Sequence, residues 1–266
     1  FGDVYKRQDL SYDEAAEISH FGAKIIYPPT IIPARRMNIP ILIKNTFEPH
    51  NAGTLIQQNK KGKNDKILKG ITSISSVSML TLQGSGLVGV PGSAAKLFLA
   101  LSDQNINIIL ISQGSSENSI SYVISAAQAS NAIAAQEKAF SREISDGLVE
   151  KAKVKNDLSI VSIIGENMAH TPGIAGRMFK ALGVNGINVY AIAQGSSELN
   201  ISAVVHKDFE IKSLKVLHEV FFLFNSIHIN LFMVGTGLIG STLLRQIHQQ
   251  NKFLLENNNT SIRLVG

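Results

Sequence analysis

A repeat within the chain constrains its fold more than any other feature of the sequence. The string Gln-Gly-Ser-Ser-Glu occurs at residues 113–117 and again at 194–198. Two other pairs share the same 81-residue offset, namely Pro91 with Pro172 and Ile106 with Ile187. Self-similarity at one fixed spacing is typical of a duplicated structural unit, so we expect two copies of one module.

Both copies have the same predicted order of elements. A strand leads through a glycine-rich loop into a helix, and a second strand leads through the Gln-Gly-Ser-Ser-Glu turn into a third. The first copy occupies residues 78–125, with a further helix at 127–137, and the second occupies residues 159–205. This order predicts ferredoxin-like α+β modules, in which helices cover one face of an antiparallel sheet.

The two Gln-Gly-Ser-Ser-Glu turns are candidate ligand sites at Gln113 and Gln194. Glutamine places a hydrogen-bond donor and an acceptor at the end of a strand. The Pro-Gly pair before each helix adds free amides that suit a carboxylate. A single turn of this kind would indicate only a hairpin, but two at equal spacing favour a polar ligand such as an amino acid, whose charged groups must be matched when they leave water.

A glycine-rich motif marks the C-terminal part of the chain. It consists of Gly235, Thr236, Gly237, Leu238, Ile239 and Gly240. It follows a predicted strand at 229–234 and precedes a predicted helix at 241–248, the context that dinucleotide binding requires. A glycine turn in another kind of α/β unit is the alternative. The residue that would distinguish NAD from NADP is not identified, so both coenzymes stay open.

Composition excludes several classes of site. The chain has no cysteine, which rules out disulfides, thiolate metal ligands and cysteine nucleophiles. The histidines show no metal-ligand spacing, and we expect no metal site. The lysine-rich stretch 60–69 lacks interleaved aromatic residues, so it predicts a solvated linker and no nucleic-acid partner. The apolar stretch Val216–Gly240 contains too many polar residues for a membrane span and is expected to be core. A cytoplasmic location is expected.

The repeated units resemble ACT domains, the sensing modules of amino-acid metabolism. Their tandem arrangement is similar to the regulatory region of bifunctional aspartate kinase–homoserine dehydrogenases of the threonine-sensitive type. The resemblance implies L-threonine as an allosteric effector bound at Gln113 and Gln194, and a homo-oligomer formed through the ACT domains. It also implies interlaced modules, with the strand near Ile67–Ser73 belonging to the second.

Two flanking segments extend this resemblance. Leu10–Ala15 and the following Phe21-Gly22-Ala23-Lys24 resemble the end of an aspartate kinase catalytic domain, which implies that Lys24 contacts ATP, used with Mg²⁺. The family commonly has histidine where Tyr27 stands. The glycine motif is placed where the family's homoserine dehydrogenase begins. A capping box is predicted at Ser11 and Glu14 from their three-residue spacing.

The resemblance implies that the parent enzyme makes 4-phospho-L-aspartate from L-aspartate and reduces aspartate 4-semialdehyde to homoserine with NAD(P)H, in aspartate-family amino-acid biosynthesis. We expect no catalytic residue within this chain and no activity from it alone. A monofunctional aspartate kinase and a free-standing amino-acid-binding ACT regulator are the alternatives.

The predicted fold class is α/β and α+β, with seven segments. They are an unmatched segment (1–9), the end of an amino-acid kinase domain (10–56), a linker (57–66), ACT module 1 (67–150), ACT module 2 (151–208), a linker helix (209–228) and the start of a Rossmann domain (229–266).

Overall fold

A computed structural model describes residues 7–21, 26–58, 67–114, 118–223, 227–235, 237–258 and 260–265. The strands are β1 (Arg7–Leu10), β2 (Ile41–Ile43), β3 (Gly53–Ile56), β4 (Gly70–Gln83), β5 (Ile108–Gln113), β6 (Ser119–Ser125), β7 (Lys153–Ile164), β8 (Ala191–Gln194), β9 (Asn200–His206), β10 (Ile227–Leu231) and β11 (Thr260–Leu264). The α-helices are α1 (Tyr12–His20), α2 (Pro28–Met37), α3 (Ser93–Ser102), α4 (Ala129–Ala139), α5 (Ser141–Ser145), α6 (Ile174–Val184), α7 (Glu210–His218) and α8 (Leu238–Asn258).

The duplicated units share one six-stranded antiparallel sheet with the strand order β5-β6-β4-β7-β9-β8. The order is symmetric about the β4–β7 pair, as expected when two copies of one unit meet side by side. Equivalent cross-strand hydroxyl pairs support this symmetry. Thr81 bonds Ser121 at 2.9 Å in the first copy, and Ser162 bonds Ser202 at 2.7 Å in the second, each residue shifted by 81 positions.

The two central strands are exchanged between the units. The first half of β4, Gly70–Ile74, pairs with the end of β7, whereas residues 77–83 of β4 pair with β6. The register shifts near Val77, where Ser76 and Asp157 both adopt positive φ angles of 57° and 59°. The strand expected at 67–73 is therefore the first half of a longer strand, and each unit takes its fourth strand from the other.

Helices cover one face of this sheet and form one apolar core per unit. Leu97 and Leu101 of α3 are fully buried in the first, and their equivalents Met178 and Leu182 of α6 are fully buried in the second. Each repeat thus supplies an amphipathic helix whose apolar side faces the sheet.

The expectation of a linker helix over 209–228 is wrong in one respect. Helix α7 packs on the sheet as the second helix of the second unit, because Val216, Leu217 and Phe221 are buried in its core. The apolar stretch Val216–Gly240 is thus core at its start. Phe232 and Val234, farther along, are exposed.

The opposite face of the sheet packs against the N-terminal part of the chain. Tyr12, Ala15 and Ile18 of α1 join Leu158 and Val204 of the sheet in a common apolar cluster. The predicted capping box of α1 is confirmed, with the Ser11 hydroxyl accepting from the amide of Glu14 and the Glu14 carboxylate accepting from the amide of Ser11. A small sheet, β1-β3-β2, and α2 complete this part.

The C-terminal part is a strand–helix–strand unit in which β10 and β11 pair in parallel on either side of α8 in sequence. The helix is longer than the predicted 241–248 because it begins inside the glycine motif and continues through the polar residues that follow. Among helices in the described residues, none combines the length and the apolarity needed to cross a membrane.

Candidate functional site

The structure places the two predicted effector glutamines at equivalent positions. Gln113 is the last residue of β5 and Gln194 the last residue of β8, and both are exposed. Neither side chain has a hydrogen-bond partner among the described residues. Residues 115–117 of the first turn lie outside the described residues, whereas the second turn is described throughout. The second copy therefore shows the geometry of the candidate site.

In the second copy, the Gln-Gly-Ser-Ser-Glu turn and the Pro-Gly loop are joined to each other. The Glu198 carboxylate accepts a hydrogen bond of 2.8 Å from the backbone amide of His170, two residues before Pro172. The amide of Gly165, where β7 ends, donates to the carbonyl oxygen of Leu199 at 3.0 Å. The two motifs that the sequence singled out are thus in direct contact in the second copy.

Both helices that follow the Pro-Gly pairs begin with uncapped amides. Gly92 precedes α3 and Gly173 precedes α6, with φ angles of 89° and 88°, and no side chain caps either helix. These left-handed conformations favour glycine. Free N-terminal amides and the positive end of the helix dipole favour an anionic group such as a carboxylate.

Two further glycines allow the exchanged strands to enter the units. A Cβ atom on Gly165 would lie 2.4 Å from the carbonyl oxygen of Ile67, and one on Gly84 would lie 2.2 Å from that of Leu148. These pairs are again related by 81 positions. The absence of a side chain is what lets the incoming backbone pass close to the start of each candidate loop.

Sequence reasoning missed a contact between α1 and the second unit. Glu14 is fully buried, and its Oε1 accepts a hydrogen bond of 2.9 Å from the amide of Glu166, which begins the turn after Gly165. Burial raises the pKa of the Glu14 carboxyl above its ordinary value, although the amides of Glu166 and Ser11 oppose this shift. No local pattern in the sequence relates residues 152 positions apart.

A cavity of about 450 Å³ opens where β4 and β7 exchange partners. On its wall, the Glu210 carboxylate accepts hydrogen bonds from the hydroxyls of Ser73 (2.7 Å), Ser75 (2.8 Å) and Ser159 (2.6 Å). Burial alone would raise the pKa of Glu210, but these three hydroxyls lower it below its ordinary value. The Glu210 carboxylate thus bonds both β4 and β7 where they exchange partners, and we call this group of residues the Glu210 junction.

The glycine motif after β10 has three geometrically distinct glycines. Gly235 has a φ of +95°, which suits a tight turn, and Gly237 has open space around its Cα. A Cβ atom on Gly240 would lie 2.2 Å from the carbonyl oxygen of Gly235, so close packing of the turn on α8 requires glycine there. Leu238 and Ile239 are exposed at the start of α8. These features fit a pyrophosphate at the helix N-terminus.

Two predicted site residues, Lys24 and Thr236, lie outside the described residues. In the sequence, Lys24 follows the end of α1 by four positions, and Gly235 and Gly237 flank Thr236.

Comparisons with known proteins identify the modules and their relatives. The profile of the ACT domain family matches residues 80–140 and 161–221. The chain is 41% identical over 249 residues to a bifunctional aspartokinase/homoserine dehydrogenase of Haemophilus influenzae, covering 94% of this chain and 30% of that protein. It is 38% identical over 260 residues to a chloroplastic enzyme of the same name from Zea mays, covering 97% of this chain and 28% of that one. The chain thus spans less than a third of these relatives.

Aspartate kinases without the second activity in their names match less of the chain. Aspartokinase 3 of Arabidopsis thaliana is 34% identical over 223 residues. The match covers 80% of this chain and 37% of aspartokinase 3. Among solved structures, the aspartate kinase of Clostridium acetobutylicum aligns with a TM-score of 0.73 at 26% identity, over 80% of this chain and 48% of that one. Escherichia coli aspartokinase III, solved with lysine and aspartate, aligns with a TM-score of 0.64 at 25% identity, over 81% and 46%.

Proposed function

This chain belongs, as a partial sequence, to the bifunctional aspartokinase/homoserine dehydrogenases, and on that premise we propose that it is their effector-sensing region. Its ACT pair would bind L-threonine and control the catalytic domains on either side. The observation that carries this proposal is the second copy, in which the turn that begins with the exposed Gln194 is bonded, through Glu198 and the His170 amide, to the loop that leads into α6.

The chemistry of the site fits an α-amino acid with a short polar side chain. Free amides at the start of α6 would take the carboxylate. The Gln194 carboxamide, and Gln113 in the first copy, offers both an acceptor for the ammonium group and a donor for a hydroxyl. An effector that loses water on binding needs its polar groups matched by the protein, which favours one amino acid over others that lack a partner for each group.

The flanking segments support the two activities of the parent. Lys24 would hold ATP phosphates, with Mg²⁺, in the phosphorylation of L-aspartate. The glycine motif at 235–240 would hold the pyrophosphate of NAD or NADP in the reduction of aspartate 4-semialdehyde to homoserine. The match of the bifunctional relatives over 94% of the chain, against 80% for aspartokinase 3, favours the bifunctional parent over a monofunctional kinase. The parent would assemble as a homo-oligomer through these ACT units.

Calorimetric titration of the 266-residue chain with L-threonine, and separately with L-lysine, tests the effector assignment. We expect threonine to bind and lysine to give no heat beyond dilution. Gln113→Ala and Gln194→Ala should each remove binding at one copy. Gln104→Ala, which changes an exposed glutamine of the first unit away from the strand ends, is the matched control and should bind threonine unchanged. Binding of lysine in preference to threonine would overturn the assignment.

A further inference from the structure

The first unit contains a counterpart of the Glu210 junction, and this counterpart is built differently. The 81-residue offset relates Ser159 to Ser78 and Asn156 to Ser75. Ser78 and Ser159 are both fully buried, so each hydroxyl needs a hydrogen-bond partner within the protein. In the first unit, the Ser78 hydroxyl donates directly to Oδ1 of Asn156 at 2.8 Å. In the second unit, the Glu210 carboxylate accepts from both Ser75 and Ser159.

The two junctions combine long and short side chains in opposite ways. In the second unit, helix α7 contributes the long Glu210 and the fourth strand contributes the short Ser75. In the first unit, helix α4 contributes the short Ala129 at the position equivalent to Glu210, and the fourth strand contributes the longer Asn156. Each unit therefore fits the fourth strand that it receives from the other unit, in side-chain size as well as in hydrogen bonding.

Two second units from different copies of the chain would not fit in this way. If β7 of a second copy replaced β4, the 81-residue offset would bring Asn156 to the position of Ser75. It would likewise bring Val154 to the position of Ser73. Glu210 would then face a long side chain in place of a short one, which crowds a packed site. It would also lose the bond from Ser73, because valine has no polar hydrogen to donate.

Two first units would make the opposite mismatch. Ser75 of a second copy would take the position of Asn156 and face Ala129, so that two short side chains would meet and leave a gap. The buried Ser78 hydroxyl would also lose the amide oxygen that accepts its hydrogen bond. Both pairings of like units are thus worse than the observed pairing of unlike units.

We propose that the two junctions decide which units share the exchanged sheet, so that a first unit pairs with a second unit and a second copy of either unit is excluded. This role concerns assembly of the sheet and does not depend on which ligand the units bind. Specificity of this kind rests as much on mismatches with the wrong partner as on contacts with the right one. A junction that only stabilised the fold would need the hydrogen bonds but not the opposite sizes.

Urea unfolding of the 266-residue chain tests the size match in the second unit. Ser75→Asn should lower the unfolding midpoint of the otherwise native chain, where the longer side chain crowds Glu210. It should raise the midpoint in a Glu210→Ala background, because this combination copies the Asn156–Ala129 pairing of the first unit. Purely stabilising hydrogen bonds predict no such change of sign. A midpoint that falls, or stays constant, in both backgrounds would overturn the proposed specificity.

Ser76→Asn is the matched control for this substitution. Ser76 is the next residue along β4, lines the same cavity and has a positive φ angle of 57°, which asparagine tolerates. The substitution should therefore change the midpoint by the same amount in both backgrounds.

A cysteine reporter measures the choice of partner directly, since the chain has no cysteine of its own. Val77 pairs with Leu158 at the centre of the exchange, so the side chain of a Val77→Cys variant faces leucine when the units of one chain pair. If two first units paired, residue 77 of each copy would face residue 77 of the other, at a Cα separation of about 4.5–5.5 Å that a disulfide can span. Covalent dimers on a non-reducing gel after oxidative refolding thus report the pairing of like first units.

Ala129→Glu should raise the dimer fraction of this reporter about fivefold or more, since the longer side chain fits Ser75 of a second copy better than Asn156 of its own chain. Adding Asn156→Ser should return the fraction to that of the reporter alone. Asn131→Glu, which places the same charge at an exposed position of α4, is the matched control and should leave the fraction unchanged. Dimers that do not increase with Ala129→Glu, or that persist when Asn156→Ser is added, would overturn the proposed choice of partner.

Discussion

The hydrogen bonds of the Glu210 junction predict how the stability of the fold depends on pH. Glu210→Gln replaces a carboxylate that accepts three serine hydroxyl bonds. A hydrogen bond to a charged group contributes about 1 kcal/mol more than one to a neutral group. Only Ser159 is fully buried, while Ser75 is exposed and can bond water instead. We therefore expect a loss of about 2 kcal/mol at neutral pH rather than the sum of three full terms.

The pKa of Glu210 fixes the sign of the pH dependence. A carboxyl whose pKa is lowered in the folded state contributes stability above its unfolded pKa, and this contribution is lost as the pH falls through the folded pKa. The native chain and Glu210→Gln should thus differ most at neutral pH. Their stabilities should converge when the pH is well below 4.5, the ordinary pKa of glutamate.

Thermal unfolding at about pH 7 and about pH 3 measures both terms, with about 2 kcal/mol corresponding to a Tm difference of about 4–8 °C when the two units unfold together. Asp208→Asn is the matched control, because Asp208 lines the same cavity, is exposed and accepts no serine hydroxyl bond among the described residues; its carboxylate lies 3.3 Å from His206. The free energy of unfolding of this control should change by no more than about 0.5 kcal/mol, so its Tm should stay close to that of the native chain. A Tm difference for Glu210→Gln that is equal at the two pH values would refute the role of the charge.

Three further substitutions probe the fold and the glycine motif. Leu97→Ala removes a fully buried side chain and should cost about 2–5 kcal/mol in urea unfolding, whereas the exposed Leu99→Ala on the same helix should change stability by less than about 0.5 kcal/mol. Gly165→Ala places a Cβ 2.4 Å from a carbonyl oxygen and should destabilise by about 1–3 kcal/mol. Gly183→Ala, which meets nothing within 4 Å inside α6, should be neutral or stabilising by up to about 1 kcal/mol. Gly240→Ala, with a Cβ 2.2 Å from a carbonyl oxygen, should weaken nicotinamide coenzyme binding by the full-length enzyme about tenfold or more, a loss near 1.4 kcal/mol; unchanged coenzyme affinity would contradict the assigned role of this turn.

Local pattern predicted most elements of the repeated units. Runs rich in isoleucine, valine and leucine predicted the strands of both copies, and the capping-box spacing predicted the start of α1. The repeat also predicts α7, because α4 begins at Ala129 and the 81-residue offset places the start of an equivalent helix at Glu210. Applied to every element, that offset would have assigned α7 to the second unit.

What the sequence could not show are the contacts that depend on how the units meet. Strand exchange in β4 and β7 depends on pairing between distant segments, which the residues of one strand do not specify by themselves. The bond from Glu166 to Glu14 joins residues 152 positions apart, and that from Asn200 to Glu17 joins residues 183 apart. Such contacts are fixed by packing on the sheet and leave no periodic signal.

The exchange of β4 and β7 also bears on how this pair could have arisen. A gene encoding one unit alone would produce a sheet without its fourth strand, and that strand could come only from a second molecule. The ancestral single unit is therefore expected to have been an obligate strand-swapped homodimer. Tandem duplication would join the two partners in one chain and make their association independent of protein concentration. It would also free the two copies to diverge, so that only the second came to carry Asn200, whose side chain bonds Glu17 of α1, while the first has Ser119 at the equivalent position.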